Sequence, residues 1–322
     1  MQLNNNLKPI DFEIPSVAYG FQGGALAGPY PAGVMTAHGQ MGLVKKASLF
    51  MGTSVGSANG AVGALDWTQL AALWENIKTS KDVWKGDLNN KFTDVWGALF
   101  AESILDPAPF YAIIDKIFGN MTMEQLAKIH DIELIFPAVD NNTHQIQFFS
   151  SFGPYKNLKV ADVIKASTAI PAGLKSHKID LGNNVSHWFS DGGVGANNPL
   201  IAVQEYNRAF PVDMIKKLIL IYCSGDIPAV DNKDYRLARD AGLVQIQNSL
   251  EVQEQVSENL AELMTSYGVI DICAIYHKGG LGDSMVADPK RLDVGYQDGV
   301  SMVVWDYKLQ ANISIIDFLK RK

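Results

Sequence analysis

Cysteine is nearly absent from this chain: Cys223 and Cys273 are the only two in 322 residues. Both lie in apolar runs, "LILIYC" and "VIDICAIY", where a buried, reduced thiol is the simplest reading. Two such residues provide neither a disulfide framework nor a cysteine metal cluster, and a reducing compartment fits them. Long hydrophobic runs are missing too, since no apolar stretch approaches the roughly 18–20 residues that cross a bilayer. The opening "MQLNNNLKPIDFEIPSV" lacks a basic start followed by an apolar core and does not read as a secretory leader. The expectation is a cytoplasmic protein that touches membranes at most from outside. Positive charge is in deficit: 27 Lys+Arg against 34 Asp+Glu give a net charge of −7, which argues against a nucleic-acid partner. There is no H-E-x-x-H, no pair of cysteine ligands and no complete calcium loop. "DNNTHQ" carries a fragment of calcium-loop spacing but falls between two strand patterns and reads as a hairpin turn. No metal and no cofactor is expected.

What is present is a globular composition, 47% hydrophobic and 19% charged. Strand and helix patterns alternate along it. "IPSVAYG" reads as a strand running into the glycine-rich "FQGGALAG", and "PYPAGVMTAH" as a helix with proline in its first turn. "ASLFMG" is a second strand, followed by the small-residue helix "SVGSANGAVGAL". Helical patterns continue through "WTQLAALWENIKTS", "PAPFYAIIDKIFG" and "TMEQLAKIH". "DIELIFPAVD" and "THQIQFFSS" form a strand pair, "VADVIKAST" a helix and "VSHWFS" a strand entering "DGG". "PLIAVQEYNRAF" is a helix, "KLILIYC" a buried strand, residues 238–268 a long helical stretch and "VIDICAIY" another strand. This alternation predicts an α/β fold with a mainly parallel sheet covered on both faces. No repeat, low-complexity tract or Pro/Ser linker divides residues 1–322, so they are read as one domain.

The stretch "GTSVGSANG" places Ser54 between Gly52 and Gly56 at the spacing G-x-S-x-G, directly after a strand and before a helix. In that context the glycines permit a tight turn and the serine stands at a helix N-terminus, where free N–H groups and the dipole favour developing negative charge. Ser54 is therefore a candidate nucleophile; the competing reading is a Gly/Ser/Ala helix packed tightly on a neighbour. A serine nucleophile needs a base. Of His38, His130, His144, His177, His187 and His277, only His277, in "YHKGG", lies late enough for the serine–acid–histidine chain order, and Ser54 comes early for that arrangement. The stronger candidate is Asp191, in "WFSDGGVGANNPL", a carboxylate at a strand end followed by Gly192 and Gly193, which let another backbone come close.

Four segments in one order, "FQGGALAGPYPAGVM", "SLFMGTSVGSANGAV", "IKASTAIPAGL" and "WFSDGGVGANNPL", resemble the patatin-like phospholipases. The resemblance spans residues 21 to 200. It implies a three-layer α/β/α sandwich, a Ser54–Asp191 catalytic dyad without an imidazole, and an oxyanion hole from the N–H groups of Gly23, Gly24 and Ala25, with Val55 beside them. It implies hydrolysis of fatty acyl esters through an acyl-enzyme, with phospholipase A, lysophospholipase and carboxylesterase action all open. A lipid substrate and transient contact with a membrane surface follow from it. The loop departs from the family where Ala25 replaces a common third glycine and Ala27 a common basic residue, so ester hydrolysis is a firmer expectation than recognition of a phosphate head group. Residues 79–119, rich in Trp, Phe, Leu and Ile and preceded by Lys78, read either as a helical cap lining an acyl channel or as an ordinary helical pair with core aromatics and solvated Lys81 and Lys85. Two rival functions stay open: a Ser–His esterase or acyltransferase on a similar turn, and a lipid-binding or storage protein without turnover.

Overall fold

A computed structural model describes residues 3–4, 7–12, 16–86, 105–171, 173–223, 252–253, 255–278, 281 and 287–321. Among these residues ten strands form one sheet: β1 (Val17–Phe21), β2 (Ala47–Gly52), β3 (Glu133–Asp140), β4 (Gln145–Ser150), β5 (His177–Gly182), β6 (Val185–Asp191), β7 (Lys217–Ile221), β8 (Asp271–Ile275), β9 (Val303–Asp306) and β10 (Ala311–Ser314). Their order is β10-β9-β8-β7-β1-β2-β3-β6-β5, with β4 also paired to β3. The five central strands β8, β7, β1, β2 and β3 are parallel; the antiparallel pairs lie at the two margins. The helices are α1 (Pro29–Gln40), α2 (Val55–Asp66), α3 (Gln69–Glu75), α4 (Ala108–Phe118), α5 (Met123–His130), α6 (Val160–Ser167), α7 (Gly193–Ala196), α8 (Val203–Ala209), α9 (residues 255–266), α10 (Lys290–Ser301) and α11 (Ile315–Lys320).

The central strands are apolar on both faces because helices cover both. Side chains alternate across a strand. On β1, β2, β7 and β8, the residues Val17, Tyr19, Phe21, Phe50, Ile219, Ile221, Cys273 and Ile275 enter one core, shared with α1, α2, α4, α6, α10 and α11. Their alternates Ala18, Leu49, Met51, Leu218, Leu220, Ile272 and Ala274 enter a second core with α8 and α9. This is the expected α/β sandwich of three layers. Both cysteines are buried. Among the described residues no helix is long and apolar enough to cross a membrane.

The strand pair expected around "DNN" is β3–β4, antiparallel from Ile135↔Ser150 to Asp140↔Gln145, and its turn is held by Asp140, whose carboxylate accepts from the Asn142 and Thr143 N–H groups. Three strands went unread in the sequence. β5 is a mostly exposed margin strand, and β9 and β10 have four residues each, too few to display a period. Helix α10 was also missed, yet it packs more extensively on α1 than any other helix does. The contact depends on glycine: a Cβ on Gly33 would lie 2.2 Å from the Leu292 carbonyl oxygen, and one on Gly295 2.0 Å from that of Tyr30. Of the expected cap, residues 87–104, with Phe92 and Trp96, fall outside the described residues. Of the described aromatics of that segment, Trp84, Phe110 and Phe118 are buried in the first core and Tyr111 packs partly buried against it, while Lys78, Lys81 and Lys85 are exposed.

Gly295→Ala should lower stability by about 1–3 kcal/mol, the usual effect of overpacking a close contact. Denaturant unfolding checks this; an unchanged midpoint would show that α1 and α10 can separate freely.

Candidate active site

The site is made by one edge of β3. Leu134 turns both backbone groups toward Ser151, just past β4, so the alternate residues face the opposite edge, where Asn141 N–H donates to Trp188 O. Two strands share that edge in succession. β2 runs parallel along it as far as Met51↔Ile135, and β6 runs antiparallel as far as Asp191↔Ala138. Their C-terminal ends therefore face one another across Phe136 and Pro137. Pro137 has no N–H, and here no ladder bond is lost by that.

Beyond β2 the chain turns sharply into α2. Ser54 has φ 54° and ψ −126°, a conformation that costs an ordinary residue on the order of 1–3 kcal/mol. Neighbouring bonds hold it there. Gly56 N–H donates to Thr53 O, Ser57 N–H and Oγ both donate to Ser54 O, and Thr53 Oγ1 donates to Ala196 O at 2.7 Å. The flanking glycines are obligatory for space: a Cβ on Gly52 would sit 2.2 Å from Gly56 O, and one on Gly56 2.3 Å from Phe21 O.

Ser54 Oγ donates to Asp191 Oδ2 at 2.7 Å. The other carboxylate oxygen, Oδ1, accepts from Gly193 N–H at 2.6 Å. Both side chains are buried, Ser54 6% and Asp191 5% exposed. Burial pushes the Asp191 carboxyl up to about 7, against the opposing pull of the hydrogen bonds from Ser54 and Gly193. At neutral pH it is thus near the midpoint of its titration, an effective range for accepting and returning a proton.

A single turn ties the two residues together. Ser167, fully buried at the end of α6, accepts from Ser54 N–H through its Oγ at 3.0 Å and from Gly192 N–H through its carbonyl. Two residues on, Ala169 O accepts from Asp191 N–H at 2.8 Å. Tyr111 of α4 donates to Lys165 O beside this turn, and burial chiefly, with the nearby charge of Asp191, raises its pKa. Ser167 lies within "IKASTAIPAGL", but the motif does not mark it out from its neighbours. Nothing local distinguishes it from other helix-terminal hydroxyls; its role appears only once β2 and β6 meet.

The glycine-rich loop lies beside the serine. Gly23 N–H donates to Asn197 O at 3.1 Å, so it is already engaged and does not suit the oxyanion donor role expected of it; what Gly23 provides is close approach, since a Cβ there would lie 3.2 Å from that of Ser54. Gly24 and Ala25 are the partly exposed members of an otherwise buried loop. No acceptor among the described residues takes up their N–H groups or that of Val55. Ala25 has φ 45°, so the alanine in place of glycine carries backbone strain. Gln253, just ahead of α9, accepts from Asn197 N–H and donates to Val194 O, bracing the segment after Asp191.

All six histidines are described, and none is hydrogen-bonded to Ser54 or Asp191. His38 is buried on Tyr19 and kept neutral by burial, its pKa pushed down to about 3. His177, His187 and His277 pair with Asp162, Asp140 and Asp298, and His130 and His144 are exposed. A separate cleft of about 190 Å³, lined by Glu124, Lys128, Glu133 and Lys156 among others, lies at the opposite rim of the sheet, where Glu124 pairs with both lysines.

The family model for patatin-like phospholipases matches residues 21–203, more than half of the chain and all four of the motif segments. The chain belongs to the patatin-like phospholipase family, whose members are lipid acyl hydrolases. Among curated proteins none matches it. The crystal structure of VipD from Legionella pneumophila is similar at a TM-score of 0.41 and 10% sequence identity, over 98% of this chain and 72% of that one.

Asp191 also links stability to pH. Its folded-state pKa of about 7 lies above the ordinary 3.8, so the folded protein holds this proton more tightly than the unfolded chain. The corresponding stability is complete below about pH 4 and is lost as pH rises through about 7. Asp191→Asn cannot ionise. Its stability relative to the unsubstituted protein should therefore improve between pH 4 and pH 8, by up to about 3–4 kcal/mol at roughly 1.4 kcal/mol per pKa unit. Unfolding midpoints of the two proteins across that range measure this; a constant gap would mean that Asp191 titrates normally.

Proposed function

We propose that this protein is a serine acyl hydrolase of lipid esters, with Ser54 as nucleophile and Asp191 as its base. The observation that carries the reading is the 2.7 Å hydrogen bond from Ser54 Oγ to a buried carboxylate whose pKa is raised to about 7. As Ser54 Oγ attacks the ester carbonyl, its proton passes to Asp191. Negative charge develops on the carbonyl oxygen and is met by the N–H groups of Gly24 and Ala25, with Val55 at the start of α2; donors aimed at that charge in a dry site give large rate effects. Asp191 returns the proton to the departing alkoxide. It then takes one from the water that attacks the acyl-enzyme and passes it to Ser54 Oγ as the acyl–oxygen bond breaks, which releases the fatty acid and restores Ser54. Gly193 N–H holds the carboxylate in line throughout.

The substrate class is the fatty acyl ester, presented by a lipid surface or as a dispersed molecule. Ala27 supplies no cation for a head group, which favours recognition through the acyl chain and the ester. A histidine-dependent mechanism has no support in the geometry, because His277 is committed to Asp298. A storage or binding role without turnover would need neither the strained serine nor the raised carboxylate.

Ser54→Ala should abolish labelling by a fluorophosphonate probe and reduce hydrolysis of nitrophenyl esters and phospholipids on the order of 10⁴-fold or more. An adduct mapped by mass spectrometry to any other serine would sink the assignment. Asp191→Asn should be about as damaging, and the double variant no worse than either, because the two act as one unit. The kcat/KM profile should rise with pH and reach half its plateau near pH 7 as Asp191 ionises. Loss of turnover to the Ser54→Ala level in any single histidine variant, still folded, would replace the dyad by a Ser–His enzyme.

A further inference from the structure

From Lys8 to Lys45 the sequence holds no lysine or arginine, so the loop of Gly23–Gly28 has no cation of its own. One arrives from far along the chain. Arg291, in the first turn of α10, is buried to 3% exposure. Its Nη1 donates to the carbonyl of Leu26 at 3.0 Å and its Nε to that of Leu281 at 2.8 Å. Leu26 is the middle residue of the 3-10 turn Ala25–Ala27, closed by Ala27 N–H donating to Gly24 O at 2.8 Å. The guanidinium therefore grips the same turn at whose start the N–H groups of Gly24 and Ala25 meet no acceptor among the described residues.

We propose that Arg291 is a positioning residue for the oxyanion-binding loop, holding the strained Ala25 turn so that the N–H groups of Gly24 and Ala25 stay directed at the reacting carbonyl. The inference rests on the reading of Ser54 as nucleophile and deepens it. Three physical points support it. Ala25 at φ 45° needs an external restraint, since an L-residue relaxes from that conformation when released. Arginine is cationic at every working pH, and its planar fork can bridge two carbonyls at once; lysine offers a single point of charge. The register that brings Arg291 there is fixed by the close α1–α10 crossing at Gly33 and Gly295 and by Tyr30 donating to Asp298 at 3.0 Å. Arg291 lies outside the residues 21–203 that match the family model, so the C-terminal region would complete the site rather than only extend the sheet.

The test uses the full chain with Arg291→Met, Arg291→Lys and Arg291→Ala, each titrated with a fluorophosphonate so that rates are given per functional site. Arg291→Met should lower kcat on a soluble nitrophenyl ester about 10–100-fold with KM within about twofold, short of the 10²–10³-fold cost of losing an oxyanion donor outright. The rate of fluorophosphonate labelling should fall in parallel, and the pH midpoint near 7 should not move. Arg291→Lys should fall between the two, and guanidinium ion at non-denaturing concentration should restore part of the activity of Arg291→Ala. If Arg291→Met has fewer titratable sites but normal kcat per site, Arg291 serves folding alone and the proposal fails. Should Arg291→Met not fold, the Lys variant and the guanidinium rescue decide in the same way: normal turnover per site in the first and no rescue in the second overturn it. Ser54→Ala run beside them separates the two claims. An active Ser54→Ala defeats the nucleophile assignment itself, whereas an inactive Ser54→Ala with wild-type turnover per site in Arg291→Met defeats only the role of Arg291.

Discussion

Two strands of opposite direction share one edge of β3, and the candidate site exists because they do. A parallel strand, β2, occupies the first part of the edge, and an antiparallel strand, β6, the last part. Residues that leave the C-terminal ends of both strands must then meet over Pro137. No long side chain is needed to bridge Ser54 and Asp191 across 137 residues of chain; the backbone ladder delivers them to hydrogen-bond distance. An edge shared end to end also exposes backbone groups at the junction, and the Ser167–Ala169 turn covers that gap. It accepts from the N–H groups of Ser54, Gly192 and Asp191, groups that would be costly to bury unpaired.

The electrostatics follow from the same packing. A buried carboxylate at a strand end loses most of its hydration, which raises its pKa, while two hydrogen bonds limit the rise. The balance leaves Asp191 near 7, where one residue can serve as both acceptor and donor of a proton. The serine stands at the start of a twelve-residue helix and in a strained conformation, held by Gly52, Gly56, Thr53 and Ser57. Strain, desolvation and helix polarity thus converge on a single hydroxyl, and each is maintained by bonds formed elsewhere in the sheet. The glycine-rich loop is held in a comparable way, from Asn197 on one side and Arg291 on the other.

The sequence by itself determined the central β–α alternation, the turn at Ser54, the strand end at Asp191 and the glycine-rich loop. These are local: apolar runs bounded by glycine, a serine spaced between two glycines, and a carboxylate at the end of an aromatic strand can each be recognised within a dozen residues. Tertiary structure alone decided what those pieces meet. Short or exposed strands such as β5, β9 and β10 carry too little periodicity to be read, and α10 is amphipathic without a motif. Ser167, Gln253 and Arg291 act through bonds to backbone atoms of residues 113, 56 and 265 positions away, and a bond to a main-chain carbonyl or N–H leaves no trace in the identity of its partner. The engagement of Gly23 N–H by Asn197 was hidden for the same reason. Sequence names the groups that carry chemistry; only the packed sheet decides which of them face each other, because burial and backbone hydrogen bonding are properties of the assembled chain.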